Sequence, residues 1–222
     1  AQRTVQAQLT VRQALVATRT RLISVARALT RGVGARIASG HADTFRARLA
    51  AVELPPALRA VLAPIVAGLA TVDAELATAE AAIVAQSATD PAVARLMTLP
   101  TIGAVTATAV VAALDTPTRF ASAAHAASYV GLVPCEASSG ERQHRGHVGR
   151  SAQPYVRALL VQAGWRVWRS TRADLRELRA WARQVAVRRG KRIAIVALAR
   201  RLMRLLFAMW RDAQPFHAPR QT

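Results

Sequence analysis

Helical periodicity dominates this sequence and leaves little room for anything but an α-helical fold. Val5, Leu9, Val11, Leu15 and Val16, then Leu22, Ile23 and Val25, recur at the three- and four-residue spacing of one helix face. The run stops near Gly32 or Gly34. A second run, from about Ala57 to Gln86, sets Val61, Ile65, Leu69, Val72, Leu76 and Ile83 on one face. Residues 36–58 between them are irregular, with Gly40 and the Pro55–Pro56 pair as breakers. Two such helices predict a long antiparallel hairpin or half of an intermolecular coiled coil, with alanine-rich seams that permit close packing.

Ser87–Pro91 reads as a hinge, and shorter elements follow it. The expected division is therefore a hairpin, coiled-coil and oligomerisation segment over residues 1–90 and a compact helical domain over residues 91–222. Within the second part, helices are expected at Ala104–Leu114, near Ala121–Tyr129, and from Pro154 to about Ser170. Two more should run from about Asp174 to Val187 and from Arg192 to Asp212. Gly131 to Gln153 is long, polar and without periodicity, and loops of that length are usually functional or disordered. No strand pattern emerges, so the fold class is all-α.

The chain carries 31 Lys+Arg against 12 Asp+Glu, a formal net charge of +19, and Lys191 is its only lysine. Such an excess repels itself unless a polyanion is near, and nucleic acid is the commonest one. Arginine suits phosphate because its fork binds two oxygens at once. An arginine-favouring genome would contribute to the same bias. With 52% hydrophobic residues, a buried core is available and wholesale disorder is excluded. A single cysteine, Cys135, excludes an internal disulfide and a cysteine-based zinc site. The longest apolar run, Gly103–Leu114, is too short for the roughly 20 residues a bilayer demands. The expectation is a cytoplasmic, nucleoid-associated protein without a membrane partner. The acid-poor, Arg-rich start formally matches a transit peptide, but it continues into the helical pattern and reads as structure.

Four features bear on chemistry. Pro100-Thr101-Ile102-Gly103 between apolar segments resembles a helix-hairpin-helix, which aims backbone N–H groups at a phosphate; Thr101 and Gly103 would make that contact. An ordinary helix–turn–helix connection fits the same pattern. Near the C-terminus, Arg188, Arg189, Lys191 and Arg192 cluster around Gly190. On the last helix Arg200, Arg204 and Arg211 share a face opposite Leu198, Leu202, Leu205 and Met209. The density favours phosphate contact over a merely solvated face. Trp165, Trp168, Trp181 and Trp210 fall on apolar stripes and read as core. Finally, the loop sets Ser138-Ser139-Gly140 before Arg142, His144, Arg145 and Arg150. A serine amid cations can attack a phosphodiester if it is activated and the transition-state charge is neutralised, yet by composition alone Ser-Ser-Gly is more often a turn. His144 and His147 lack nearby carboxylates, and Asp115, Glu136 and Glu141 are scattered, so no metal site is expected.

These residues match a known family. Leu96-Met97-Thr98-Leu99-Pro100-Thr101-Ile102-Gly103, Phe120, Tyr129-Val130-Gly131-Leu132-Val133-Pro134 and Ser138-Ser139-Gly140 resemble the C-terminal domain of insertion-sequence one-ten family transposases. The order continues through Gly146-His147-Val148-Gly149-Arg150, Arg157-Ala158-Leu159-Leu160 and Ala194-Ile195-Val196-Ala197-Leu198-Ala199-Arg200. The resemblance covers about residues 92–217, and the preceding helices match the family's coiled coil only loosely.

The resemblance implies a recombinase of mobile elements in which Ser139 is the nucleophile and forms a covalent phosphoserine–DNA intermediate. Arg142, Arg145, Arg150 and Arg157 are the candidates for phosphate binding and transition-state charge. It also implies DNA and a structured guide (bridge) RNA as partners, and assembly as a homodimer or tetramer. Family members carry an RNase-H-like acidic domain that binds metal. Since residues 1–222 open in the linker helices, the expectation is a chain inactive alone, with no cofactor of its own and Mg2+ entering only with that domain. Thr101 stands where the family usually has Gly, and Gly149 and Ala152 where it tends to have a hydroxyl residue and Gly. Two other readings fit the residues: a non-catalytic nucleic-acid-binding or assembly remnant, and a helical interaction protein that oligomerises through residues 1–90.

Overall fold

The computed structural model describes residues 2–136, 145–148 and 153–217, and helices make up most of them. The all-α class expected from periodicity holds. The chain divides into two compact units, residues 3–83 and 84–222.

The first unit holds α1 (Gln2–Gly32), α2 (Phe45–Ala50) and most of α3 (Pro56–Ser87). Helix α1 ends where Ala35 N–H donates back to the Thr30 carbonyl at 3.2 Å and Gly34 N–H to Arg31 at 3.0 Å. Gly34 takes a φ of +79°, a conformation that glycine adopts without a Cβ penalty. Helix α2 is a short element inside the stretch read as irregular. Its Phe45 and Leu49 close a core with Ala26, Leu62 and Leu69, onto which Leu22, Ile37, Leu58 and Ile65 pack. Pro56 occupies the first turn of α3, where its missing N–H costs nothing.

Helix α3 is the one described helix long and apolar enough to cross a bilayer by length and composition. Its acids argue for a different role. Glu80 accepts from Arg12 at 2.5 and 2.9 Å, while Asp73 lies 3.5 Å from Arg19 and 3.2 Å from Arg46. The pairs are partly buried, Arg12 and Arg19 each 16% exposed and Asp73 20%. Their service here is to fix the register of α3 against α1 and α2, beside the apolar seam.

The second unit holds α4 (Pro91–Met97), α5 (Ala104–Leu114), α6 (Ala123–Tyr129), α7 (Pro154–Arg169), α8 (Arg176–Arg189) and α9 (Lys191–Arg211); α4, α6, α7 and α8 pack against α9, and α5 packs on α4 and α7. Asp90 caps α4, its carboxylate accepting from Ala92 N–H at 2.8 Å. Ser122 caps α6 in the same way through His125 N–H. Helix α9 is the centre because Ile195, Leu198, Leu202, Met203, Leu206 and Phe207 are all buried. Helices α7 and α9 approach closely at Gly164, where a Cβ would stand 3.1 Å from the Ile195 carbonyl oxygen.

The segment expected to lack structure carries two short strands, β1 (Pro134–Glu136) and β2 (Arg145–Val148), paired antiparallel with an irregularity between Pro134 and Glu136. Three- and four-residue strands are too short for alternation to register in the sequence.

Candidate nucleic-acid interface

The α4–α5 connection supplies the first element of the site. Leu99 and Ile102 are buried and anchor the turn, and Gly103 is exposed at the N-cap of α5. No side chain caps that helix and no acid stands in its first turn, so its first amides keep their capacity for an anion. Thr101 has a φ of +81°, a left-handed conformation that only glycine adopts without a Cβ penalty. Its hydroxyl is buried without a hydrogen-bond partner among the described residues. A β-branched residue in the left-handed region is strained by roughly 1–2 kcal/mol. We therefore expect Thr101→Gly to raise stability by about 1 kcal/mol, after the entropy cost of glycine. A urea midpoint unchanged or lowered would contradict this account of the turn. The C-terminal segment returns to the same turn, Phe216 N–H donating to Thr98 Oγ1 at 2.8 Å.

The second element is the α8–α9 connection. Arg188, Arg189, Lys191 and Arg192 are exposed around Gly190, whose φ is +84°. Lys191 is not merely solvated: its Nζ lies 5.2 Å from the Trp165 ring centre and 5.5 Å from that of Trp168. Arg169 also covers Trp165, at 5.3 Å. The four tryptophans read as core are all half-buried. Trp165, Trp168 and Trp181 present faces to cations, an arrangement that apolar spacing alone cannot distinguish from burial.

The third element is a groove of about 670 Å³ beside α9, lined by Arg200, Arg201, Arg204, Leu205, Trp181 and Ala123, among others. Among the described residues no carboxylate lines it. Arg201 lies over Trp181 at 4.8 Å, and the Nε of Arg200 is buried with no hydrogen-bond partner among the described residues. A buried donor left unmade costs roughly 1–3 kcal/mol, more when charged, and an anion entering the groove would satisfy it. Leu205, expected opposite the arginines, is half-buried and lines the groove with them. Arg211 leaves the set because Asp212 accepts from its Nε at 2.7 Å and its Nη2 at 2.9 Å. That hydrogen bond holds the Asp212 carboxyl below the ordinary carboxylate range.

The root of the loop that holds Ser139 forms the fourth element. Tyr129 ends α6 and Gln153 precedes α7; Gln153 Nε2 donates to Tyr129 Oη at 3.4 Å. Phe120 packs 5.3 Å from Tyr129, and the exposed Arg119 lies 4.9 Å from the Tyr129 ring centre. Arg157 is half-buried in the first turn of α7. Arg145 belongs to β2. Ser139, Arg142 and Arg150 lie outside the described residues. Among the described residues, no three His, Cys, Asp or Glu side chains come together as metal ligands.

Sequence reasoning missed Arg119, Arg201 and Trp181. Their signal is spatial, since Trp181 and Arg201 are distant in the chain and meet only because α8 packs on α9.

Comparison with known proteins agrees with this chemistry. Residues 93–180 match the family model described as Transposase IS116/IS110/IS902 family. The chain is 31% identical to a protein of Pseudomonas aeruginosa named "Probable family 20 transposase", over 94% of this chain and 63% of that protein. It is 28% identical to the "Transposase for insertion sequence element IS1111A" of Coxiella burnetii, over 94% of this chain and 58% of the relative. A Streptomyces coelicolor protein, "Insertion element IS110 uncharacterized 43.6 kDa protein", is 29% identical over 87% of this chain and 47% of its own length. The chain thus spans roughly half to two thirds of these relatives.

Proposed function

We propose that this chain, whose residues 93–180 match the Transposase IS116/IS110/IS902 family model, grips DNA during transposition of an insertion sequence and supplies Ser139 as the nucleophile. The observation that carries the binding reading is the arginine groove on α9, which has no carboxylate in its lining and no partner for Arg200 Nε among the described residues. Arg200, Arg201 and Arg204 hold a phosphodiester backbone, and Trp181 keeps Arg201 in place. Arg188, Arg189, Lys191 and Arg192 extend the contact around the α8–α9 turn. The Thr101–Gly103 turn adds a further phosphate contact through the first amides of α5.

The catalytic part of the proposal rests on the motif order around Ser139. Its Oγ bonds to the phosphorus of a DNA phosphate, and the bond from phosphorus to one ester oxygen breaks. The proton lost by the hydroxyl ends on that leaving oxygen, giving a phosphoserine–DNA intermediate and a free DNA hydroxyl. Arg142, Arg145, Arg150 and Arg157 neutralise the charge that builds on the phosphoryl oxygens. The same resemblance supports a guide RNA as second partner, and the hairpin of residues 1–90 as the means of assembling a dimer or tetramer. The described residues offer no fitting ligand set for the magnesium ions that the resemblance implies, so no step here passes through a metal.

Binding is tested through its salt dependence. Each phosphate neutralised contributes about 0.9 to the slope of log affinity against log salt. Arg200→Gln/Arg204→Gln should lower the slope on duplex DNA by about 2 and weaken binding roughly 10- to 100-fold near 0.1 M salt. An unchanged slope would remove the groove from the interface.

A further inference from the structure

We propose a second, separate phosphate site on the helical hairpin, formed by Arg27, Arg31 and Arg36. The three arginines line an open cavity of about 330 Å³ with Ile37, and no carboxylate among the described residues is in its lining. That volume is at the small end of ligand cavities, roughly 300–1,000 Å³, and exceeds what one ordered water fills.

The arrangement is built rather than incidental. Arg27 and Arg31 stand one turn apart near the end of α1, and the turn through Gly34 brings Arg36 back to them. Arg27 is half-buried and lies 5.5 Å from the ring centre of Phe45, which is itself 1% exposed. Ile37 packs against the core. Arg48 donates to the carbonyls of Ala38 and His41, fixing the segment that follows. One wall and the floor are therefore rigid before any ligand arrives.

Helix electrostatics do not account for the cluster. The C-terminal end of α1 offers about half a negative charge, against three positive ones. Like charges one turn apart also cost a few tenths of a kcal/mol. Among the described residues, Arg31 Nε donates to the Arg27 carbonyl at 3.3 Å. The remaining charge calls for an anion with several acceptor oxygens, which describes a phosphate.

The source that fits a chain of this kind is a nucleic-acid backbone phosphate. That step rests on the nucleic-acid reading above, though not on Ser139. Arg31 and Arg36 are exposed, so their replacement leaves the core intact.

The test uses the full chain with two fluorescent probes, a duplex DNA and an RNA hairpin, titrated at several salt concentrations. Arg31→Gln/Arg36→Gln is compared with Arg21→Gln/Arg59→Gln, which removes equal charge from exposed positions of the same unit. The pocket variant should weaken at least one probe by roughly tenfold more than the control and lower its salt slope by a further 1 to 2, on the order of one contact per arginine. The probe affected identifies the phosphate's source. Equal losses in pocket and control variants on both probes overturn the site. In that event Arg200→Gln/Arg204→Gln, read on the same probes, shows whether the groove still binds. If the unaltered chain binds neither probe, the nucleic-acid reading itself fails.

Discussion

Replacing Ser139 with Ala is expected to abolish the covalent protein–DNA adduct proposed above, while Ser138→Ala retains it. The effect is total because the step forms a bond from the serine oxygen to phosphorus, and alanine has no atom to make it. Substituting the surrounding cations should act differently. Removing one preorganised donor from a transition state costs about 10²- to 10³-fold in rate. Arg142→Gln or Arg150→Gln should therefore slow adduct formation without eliminating it. Trapped protein–DNA species, separated under denaturing conditions, distinguish the two behaviours. An adduct that persists in Ser139→Ala would falsify the assignment of the nucleophile. A wild-type protein that binds DNA with normal salt sensitivity, yet never forms an adduct, would instead be a binding and assembly module.

The second large effect concerns the core that shapes the arginine groove. Phe207→Ala should destabilise the second unit by about 3–5 kcal/mol. Phe207 is fully buried on α9 and meets Phe120 edge-on, with ring centres 6.3 Å apart at 90°. Truncation loses the transfer free energy of the ring and that edge contact, and leaves a cavity between α9 and the Pro117–Arg119 turn. Domains are stable by roughly 5–15 kcal/mol in total, so this single change removes a large fraction. Val187→Ala is the matched control: Val187 is 88% exposed, and its loss should stay within about 0.5 kcal/mol. Tryptophan fluorescence during urea unfolding reports the second unit directly, since all four tryptophans lie between residues 165 and 210. If Phe207→Ala shifts the midpoint no more than Val187→Ala, α9 is not the centre of that core. Because Arg204 and Ala208 flank Phe207 and line the groove, the same variant should lose DNA binding in step with folding.

Much of this architecture is local in origin. Helix positions followed from apolar spacing, from the Pro55–Pro56 break and from Pro154 at a first turn, because these devices act within about four residues of the chain. The charge excess depends on composition alone, and it pointed to a polyanion before any geometry was known. The motif blocks from Leu96 to Arg200 pointed to a family and to Ser139 through their order, which three-dimensional placement does not alter.

Other features had no local trace. Periodicity could not separate a buried tryptophan stripe from one that carries cations on its faces, and Lys191 sits over Trp165 and Trp168 only because α7 lies against α9. The left-handed backbone of Thr101 is held by the buried Leu99 and Ile102 rather than by its own preference, which runs against it. In the same way, α2 owes its existence to the burial of Phe45 and Leu49, and that burial draws Arg27 into one pocket with Arg31 and Arg36. The sequence by itself determined which segments are helical, how large the positive charge excess is and which transposase family the motif order resembles. Only the tertiary structure decided which arginines converge, because convergence depends on helix neighbours far apart in the chain, and the burial that selects those neighbours is a property of the packed whole.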